Sequence, residues 1–200
     1  MIKFLLLDCD GLIIKRDKYF SQRLADEKNI KLDLNKVNSF FNNEFLLCET
    51  GKADLKEELN KVIGSWGWTG TLEEILDFWF SGEKTLDNEM VDYINNIRAK
   101  GVKVYVSTDQ EKYRTEYLWQ VAGLKNFLDG MLSSADIGYL KPDINYWIEV
   151  SKILPAHKKE EVLFWDHEVH KMEAAKKFGY LTETYQNIED FKKVMQNYLT

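Results

Sequence analysis

The sequence predicts an α/β fold with a mostly parallel sheet and an all-helical insertion after the first strand. Over residues 1–14 and 86–200, short apolar segments alternate with helical patterns of about 10 to 15 residues, which is typical of βαβ units. Residues 15–85 show helical periodicity without a β pattern. The 200 residues, 44% of them hydrophobic, are enough to bury a core without disulfide or metal staples.

The two outer segments are predicted to form one core domain, residues 1–14 and 86–200. Its predicted strands cover residues 2–7, 102–107, 131–133, 162–165 and 180–184. Its predicted helices cover residues 87–100, 111–122, 144–154, 168–178 and 188–198. Pro142 and Pro155 flank the third of these helices, where proline is tolerated at a helix start or stops the helix at its end.

The inserted region, residues 15–85, is predicted to be helical throughout. Amphipathic stretches cover residues 35–47, 53–63 and 72–80, and Thr71 with Glu74 forms a capping box for the last of them. The aromatic residues of this region have two interpretations, a lid over a binding site or the core of a helix bundle, and helical spacing favours the core. They are Phe40, Phe41, Trp66, Trp68 and Trp79.

Charge and cysteine content limit the partners and the location of the protein. The formal charge is -6, and the 27 Lys and Arg residues are scattered, so the sequence predicts neither nucleic-acid nor membrane binding. Cys9 and Cys48 form no paired framework and no CxxC motif, which favours a reducing compartment. The apolar run over residues 2–7 is too short for a signal peptide, and we therefore predict a cytoplasmic protein.

Two acids follow the first predicted strand, in the segment Asp8-Cys9-Asp10-Gly11. The carboxyl ends of strands are where open α/β sheets bind ligands. Such a pair suits covalent catalysis, in which one carboxylate attacks and its neighbour handles the proton. On this segment alone the alternative, a turn at Asp10-Gly11 with Asp8 as a cap, has equal weight.

Other strand ends carry further polar groups. Thr108 and Asp109 follow the second strand, and Asp166 and His167 follow the fourth. Lys141 stands directly before Pro142 at a helix start, where an ammonium can neutralise an anionic intermediate. Hydroxyl groups at this edge can hold phosphoryl oxygens or cap the next helix.

Taken together and in this order, the motifs resemble those of the haloacid dehalogenase-like hydrolase superfamily over nearly the whole chain. The matching segments are Asp8-Cys9-Asp10-Gly11, Thr108-Asp109, Lys141-Pro142 and Asp166. The resemblance implies a Rossmann-like core, with residues 15–85 as a small helical cap. We expect hinges near residues 14–16 and 82–86.

The resemblance also implies a reaction, hydrolysis of a small phosphorylated metabolite through an aspartyl-phosphate. Asp8 is then the nucleophile and Asp10 the acid and base, while Thr108 and Lys141 hold the transferring oxygens. Gly11 and Asp109 complete the substrate-binding residues. The implied cofactor is Mg²⁺, held by Asp8, by the Asp10 carbonyl and by the fourth-motif positions Asp166 and His167.

Three positions depart from the family pattern. His167 stands where a second acid is usual, Lys171 where Asn is usual, and Asp109 likewise where Asn is usual. An imidazole in the metal site favours ions such as Zn²⁺, Co²⁺ or Mn²⁺ over Mg²⁺, while a plainer role for His167 is to cap the following helix. Two alternatives to a phosphatase remain: a weak or inert binding module, and a metal-free dehalogenase, against which the intact Asp10 argues.

Overall fold

The computed structural model describes residues 1–16, 18–28 and 32–199, and a five-stranded parallel sheet forms its centre. The strands are β1 (Phe4–Leu7), β2 (Lys103–Thr108), β3 (Gly130–Ser133), β4 (Val162–Asp166) and β5 (Leu181–Thr184). Their spatial order is β3-β2-β1-β4-β5, and every neighbouring pair is parallel. The predicted α/β class and parallel sheet are therefore confirmed.

Both faces of the sheet are covered, as expected for parallel strands. Alternate residues of β1 enter different apolar clusters: Leu5 and Leu7 pack in one, Phe4 and Leu6 in the other. Helices α6 (Asn88–Ala99), α7 (Lys112–Gln120) and α11 (Ile188–Met195) contribute to the first cluster. Helices α9 (Ile144–Ile153) and α10 (Val169–Phe178) contribute to the second, and the short α8 (Ser134–Ile137) follows β3.

Between β1 and α6, the described residues form helices and turns around a third apolar cluster. The helices are α1 (Phe20–Lys28), α2 (Leu34–Asn42), α3 (Glu44–Glu49), α4 (Leu55–Val62) and α5 (Leu72–Gly82). The capping box of Thr71 and Glu74 at the start of α5 is confirmed. The predicted single helix over residues 35–47 is wrong, because the backbone leaves helical geometry at Asn43 and α3 begins after it.

The helical cap joins the core through two segments that lie side by side. The Lys15 N–H donates to the Thr85 carbonyl at 2.8 Å, and the Asp87 N–H donates to the Ile13 carbonyl at 2.8 Å. Ile14 and Leu86 form an isolated antiparallel bridge at the same place. The chain thus passes between core and cap through two adjacent segments. The cap boundaries and the hinges that we expect from the sequence fall in these segments.

Within the described residues, no helix is both long and apolar enough to cross a membrane. Cys9 and Cys48 are both buried free thiols.

Candidate active site

The register of the sheet brings the polar strand ends together. Leu7 of β1 pairs with Val106 of β2 on one side and with Trp165 of β4 on the other. Asp8 follows directly after β1, so it lies between the ends of β2 and β4. The three central strands therefore present the predicted site residues at one edge of the sheet.

Lys141 reaches this edge from the loop before α9 and is completely buried. Its Nζ donates to Asp8 Oδ1 at 2.6 Å and to Asp166 Oδ2 at 2.6 Å. Its backbone is held as well, because its N–H donates to Asp109 Oδ1 at 2.9 Å and its carbonyl accepts from the Trp147 indole at 2.8 Å. The ammonium thus occupies a fixed position between two carboxylates.

Asp8 is ionised in this arrangement. Burial alone raises the pKa of a carboxyl group, but the charge of Lys141 and hydrogen bonds from His167 and Lys141 hold the pKa of Asp8 well below its usual range. The second oxygen, Oδ2, lies 3.3 Å from His167 Nδ1. Asp8 therefore presents a charged, oriented oxygen to the cavity in front of it.

Asp10 has a different environment, because both of its oxygens are held by one arginine. Arg114 Nη2 donates to Oδ1 at 2.7 Å, and Arg114 Nη1 donates to Oδ2 at 2.8 Å. Gln110 Nε2 also donates to Oδ2 at 2.8 Å. Burial opposes ionisation, but the bidentate contact with Arg114 holds the pKa of Asp10 below its usual value.

Gly11 and Thr108 lie beside the two acids. Gly11 turns the chain after β1 with φ at +82°, a left-handed conformation that glycine adopts without strain. Thr108 is buried at the end of β2 and lines the cavity together with Asp8 and Asp109.

Three groups have the arrangement of a metal site. One ligand atom each of Asp8, Asp166 and His167 lies within 4.8 Å of the others. The His167 ring faces these acids, with Nδ1 3.5 Å from Asp166 Oδ1, whereas the N-cap of α10 is Glu168. Two carboxylates and an imidazole fit a divalent ion of the Mn²⁺ or Zn²⁺ type better than Mg²⁺, which prefers oxygen ligands. The Asp10 carboxylate lies outside this group, against Arg114.

Lys171 adds a positive charge to the site, at the position where the family resemblance leads us to expect Asn. Its Nζ lies 3.8 Å from Asp109 Oδ2 and also contacts Glu168. Unlike Lys141, it lines the cavity. The position of the usual Asn is therefore occupied by an ammonium directed at the site.

A cavity of about 420 Å³ lies between the core and the cap in front of Asp8. We call its core side the core wall, which includes Asp8, Asp10, Thr108, Asp109, His167 and Lys171. We call its cap side the cap wall, which includes Phe20, Phe41, Phe45, Glu49 and Trp79. Trp66 and Phe40 belong instead to the buried core of the cap, which favours the packing interpretation for them.

Several polar residues of the site were missed by the sequence interpretation, among them Gln110, Glu49, Glu83 and Arg114. Gln110 lies between β2 and α7 and Arg114 lies in the first turn of α7, so their position directly after the second strand was a usable signal. The Glu83 carboxylate forms an ion pair with Arg114 Nη2 at 3.3 Å and accepts a hydrogen bond from the Trp79 indole at 3.3 Å. No local pattern marks Glu49, because its place depends on the packing of α3 against the core.

Comparisons with known proteins agree with this architecture. The sequence model described as haloacid dehalogenase-like hydrolase matches residues 5–182. No match was found among curated protein sequences.

Among solved structures, a predicted haloacid dehalogenase-like hydrolase from Porphyromonas gingivalis is similar, with a TM-score of 0.78 and 21% identity over 100% of this chain and 98% of that one. A family enzyme from Bacteroides thetaiotaomicron, solved in complex with magnesium and inorganic phosphate, has a TM-score of 0.80 and 18% identity over 97% and 99% of the two chains. The L-2-haloacid dehalogenase from Xanthobacter autotrophicus, with chloropropionic acid covalently bound, has a TM-score of 0.67 and 18% identity over 98% and 83%.

Proposed function

This chain belongs to the haloacid dehalogenase-like hydrolase family, and from that premise we propose that it is a phosphatase of a small phosphomonoester. The observation that carries the proposal is the Asp8 carboxylate, buried at the centre of the sheet edge with Lys141 at 2.6 Å and facing a cavity. A desolvated, ionised carboxylate beside a fixed cation is suited to attack an electrophilic phosphorus.

In the proposed reaction, an Asp8 oxygen forms a bond to phosphorus while the bond from phosphorus to the ester oxygen breaks. The departing oxygen takes a proton from Asp10, which afterwards removes a proton from the water that hydrolyses the aspartyl-phosphate. Thr108 holds a transferring oxygen, Lys141 fixes Asp8 and Asp166 from outside the cavity lining, and Lys171 adds charge from the cavity side. Most of the rate enhancement then comes from positioning and charge neutralisation.

Asp10 takes up and gives off protons only when its contact with Arg114 loosens. With both oxygens accepting from Arg114 and Gln110, the carboxylate is ionised and has no proton to donate. A substrate that separates Arg114 from Asp10 would raise the pKa of Asp10, because its burial would then lack the compensating charge. The proposed cycle therefore includes a movement of the Arg114 side chain.

A divalent ion is the proposed cofactor, with Asp8, Asp166 and His167 as its side-chain ligands. Such an ion would neutralise charge on the transferring phosphoryl group. The complex of the Bacteroides relative with magnesium and inorganic phosphate supports this class of cofactor and substrate. The imidazole of His167 favours Mn²⁺ or a similar ion.

The dehalogenase alternative finds support in the fold of the Xanthobacter enzyme, but the Bacteroides enzyme solved with magnesium and inorganic phosphate shares the fold as well. The inert-module alternative rests on the Arg114 contact that holds Asp10 ionised, together with His167 and Lys171. Of the three functions, only the phosphatase predicts phosphate release from a phosphomonoester. A small phosphorylated metabolite in a reducing, cytoplasmic setting remains the proposed context.

The test is hydrolysis of 4-nitrophenyl phosphate in the presence of Mg²⁺, Mn²⁺ or Zn²⁺, measured for the wild type and for Asp8→Asn. We expect turnover by the wild type and none by the variant, because an amide does not form the acyl-phosphate. Quenched samples of the wild type should contain covalently bound phosphate. Wild-type rates in the variant would refute the nucleophile, and an inactive wild type with every ion would favour the inert module.

A further inference from the structure

The carboxyl groups around the cavity are paired with cations, with one exception. Asp8 pairs with Lys141 at 2.6 Å, and Asp10 pairs with Arg114 at 2.7 Å. The remaining acids also have partners: Glu83 with Arg114, and Asp109 and Glu168 with Lys171. Among the described residues, Glu49 has neither an ion pair nor a hydrogen bond to its carboxyl group.

Glu49 faces the cavity from the last turn of α3, where it is half-buried. Burial and the nearby charge of Asp109 raise the pKa of Glu49 to about 8, although Lys171, Lys141 and Arg114 act in the opposite direction. These three cations already have acidic partners of their own. None of these three cations therefore forms an ion pair with the Glu49 carboxylate.

Aromatic rings line the same cavity as Glu49. Phe45 lies four residues before Glu49 and hence on the same face of α3. The Trp79 ring lies 5.5 Å from that of Phe45, 5.6 Å from that of Phe41 and 4.8 Å from that of Phe20, measured between centroids. All four rings line the cavity. A carboxyl group among aromatic rings is the usual chemistry for binding an organic cation.

We propose that the organic part of the substrate carries a positively charged amine, which Glu49 binds against the aromatic residues of the cap wall. The proposal rests on the function proposed above and specifies its substrate class, an aminoalkyl or quaternary ammonium phosphate ester. The phosphate lies against the core wall, and the ammonium lies against the cap wall. Both ends of such a substrate find opposite charge, and its alkyl part contacts the rings.

Charge balance favours a cationic group over a neutral hydroxyl. A protonated Glu49 can donate a hydrogen bond to a hydroxyl, but only a cation pairs with the ionised carboxylate and also gains from the surrounding aromatic rings. The positive charge of Arg16 on the same cavity does not repel the ligand strongly, since Arg16 lies 3.7 Å from Asp10 and over the Tyr19 ring. An ammonium at Glu49 supplies the one missing partner.

The test compares choline phosphate with 3,3-dimethylbutyl phosphate, an ester of the same shape in which carbon replaces nitrogen. We expect the wild type to prefer choline phosphate in kcat/KM by roughly ten- to a hundredfold, the range for a charge-assisted contact supported by aromatic rings. In Glu49→Gln the preference should fall to near one. Glu57→Gln, which removes an exposed cap carboxylate outside the cavity, should keep the wild-type preference.

Calorimetry with choline phosphate separates this inference from the proposed function. Binding at pH 7 should release protons, because Glu49 ionises when it gains a cationic partner, and Glu49→Gln should bind about tenfold more weakly without that release. If both esters are hydrolysed equally, the phosphatase proposal stands and the inference fails. If neither is hydrolysed but Glu49-dependent binding is seen, the inference stands and the phosphatase proposal fails. Absence of binding, or a preference for a polyol phosphate over choline phosphate, overturns the inference.

Discussion

The two walls of the cavity differ in how their charges are balanced. On the core wall, Asp8, Asp10 and Asp109 each contact a lysine or arginine of the protein itself. On the cap wall, Glu49 lacks such a partner among the described residues, and its neighbours are aromatic rings. The core wall acids thus have cationic partners within the protein, while the cap wall leaves the Glu49 carboxyl group without a partner until a ligand supplies one.

This difference indicates a division of labour. The core wall is fixed by the register of the parallel sheet, because β1, β2 and β4 end side by side. A rigid, charge-balanced wall suits the chemical step, which requires the same geometry for every ester. The cap wall, carried on helices joined to the core by two segments, suits substrate selection. Variants of the core wall should therefore change rate, and variants of the cap wall should change preference.

The largest effect on this comparison is expected for Asp10→Asn. Loss of proton transfer should reduce kcat by about 10² to 10⁴-fold for alkyl phosphates. The reduction should be the same for choline phosphate and for its neutral analogue, because Asp10 lies on the core wall. Steady-state kinetics with both esters measures this, and a changed preference between them would contradict the division between the walls.

A second large effect is expected for Arg114→Met, which tests whether the core wall is balanced by its own cations. The substitution removes the bidentate partner of Asp10 and the ion-pair partner of Glu83, leaving only Arg16 at 3.7 Å from Asp10, and should lower the free energy of unfolding at pH 7 by about 3 to 5 kcal/mol. Urea unfolding at pH 7 and pH 5 measures this loss. Lys61→Met, which removes an exposed pair with Glu58, is the control and should change stability little.

The free energy of unfolding lost in Arg114→Met should depend on pH in a definite direction. The lowered pKa of Asp10 in the wild type contributes stability that is present above the ordinary carboxyl pKa and is lost as the pH falls through the lowered value. Without Arg114, burial raises the pKa of Asp10, so the variant takes up a proton at higher pH and escapes its buried charge. The difference between wild type and variant should be smaller at pH 5 than at pH 7. An equal stability difference at pH 5 and pH 7 would show that the ionisation of Asp10 does not cause the loss of stability.

The sequence predicts the core wall better than the cap wall for a physical reason. The apolar run that ends at Asp8 and the order of later strand ends are local patterns, and parallel pairing brings such ends together. Arg114 was missed because a basic residue in a helix usually lies in solvent, and only tertiary packing buries this one. The break at Asn43 and the direction of Glu49 depend on packing among cap helices, which no local period encodes.

A moderate effect is expected for His167→Asp, which changes the charge of the core wall at the proposed metal ligands. A carboxylate oxygen in place of a neutral nitrogen should strengthen Mg²⁺ binding by roughly tenfold or more, since Mg²⁺ prefers charged oxygen ligands. Calorimetry with Mg²⁺ alone measures the affinity. His170→Asp adds the same charge at an exposed position on α10 and should leave the affinity near the wild-type value. Equal affinities in the wild type and both variants would remove His167 from the metal site.

The smallest effect concerns the movement of one wall against the other. Vanadate, a phosphate mimic bound at the core wall, should draw the cap closer and slow amide exchange a few-fold at residues 14–16 and 82–86, since local opening there becomes rarer. The Lys15 N–H, which donates to Thr85 across the two connecting segments, is the most direct reporter. The Leu5 and Leu7 amides lie in the buried sheet and serve as the reference, because cap movement leaves their ladder intact. Exchange that is identical with and without vanadate at the connecting segments, in protein that demonstrably binds vanadate, would mean that the two walls form one rigid unit. Substrate preference would then arise from a preformed cavity, and the ammonium of the substrate would enter it without closure of the cap.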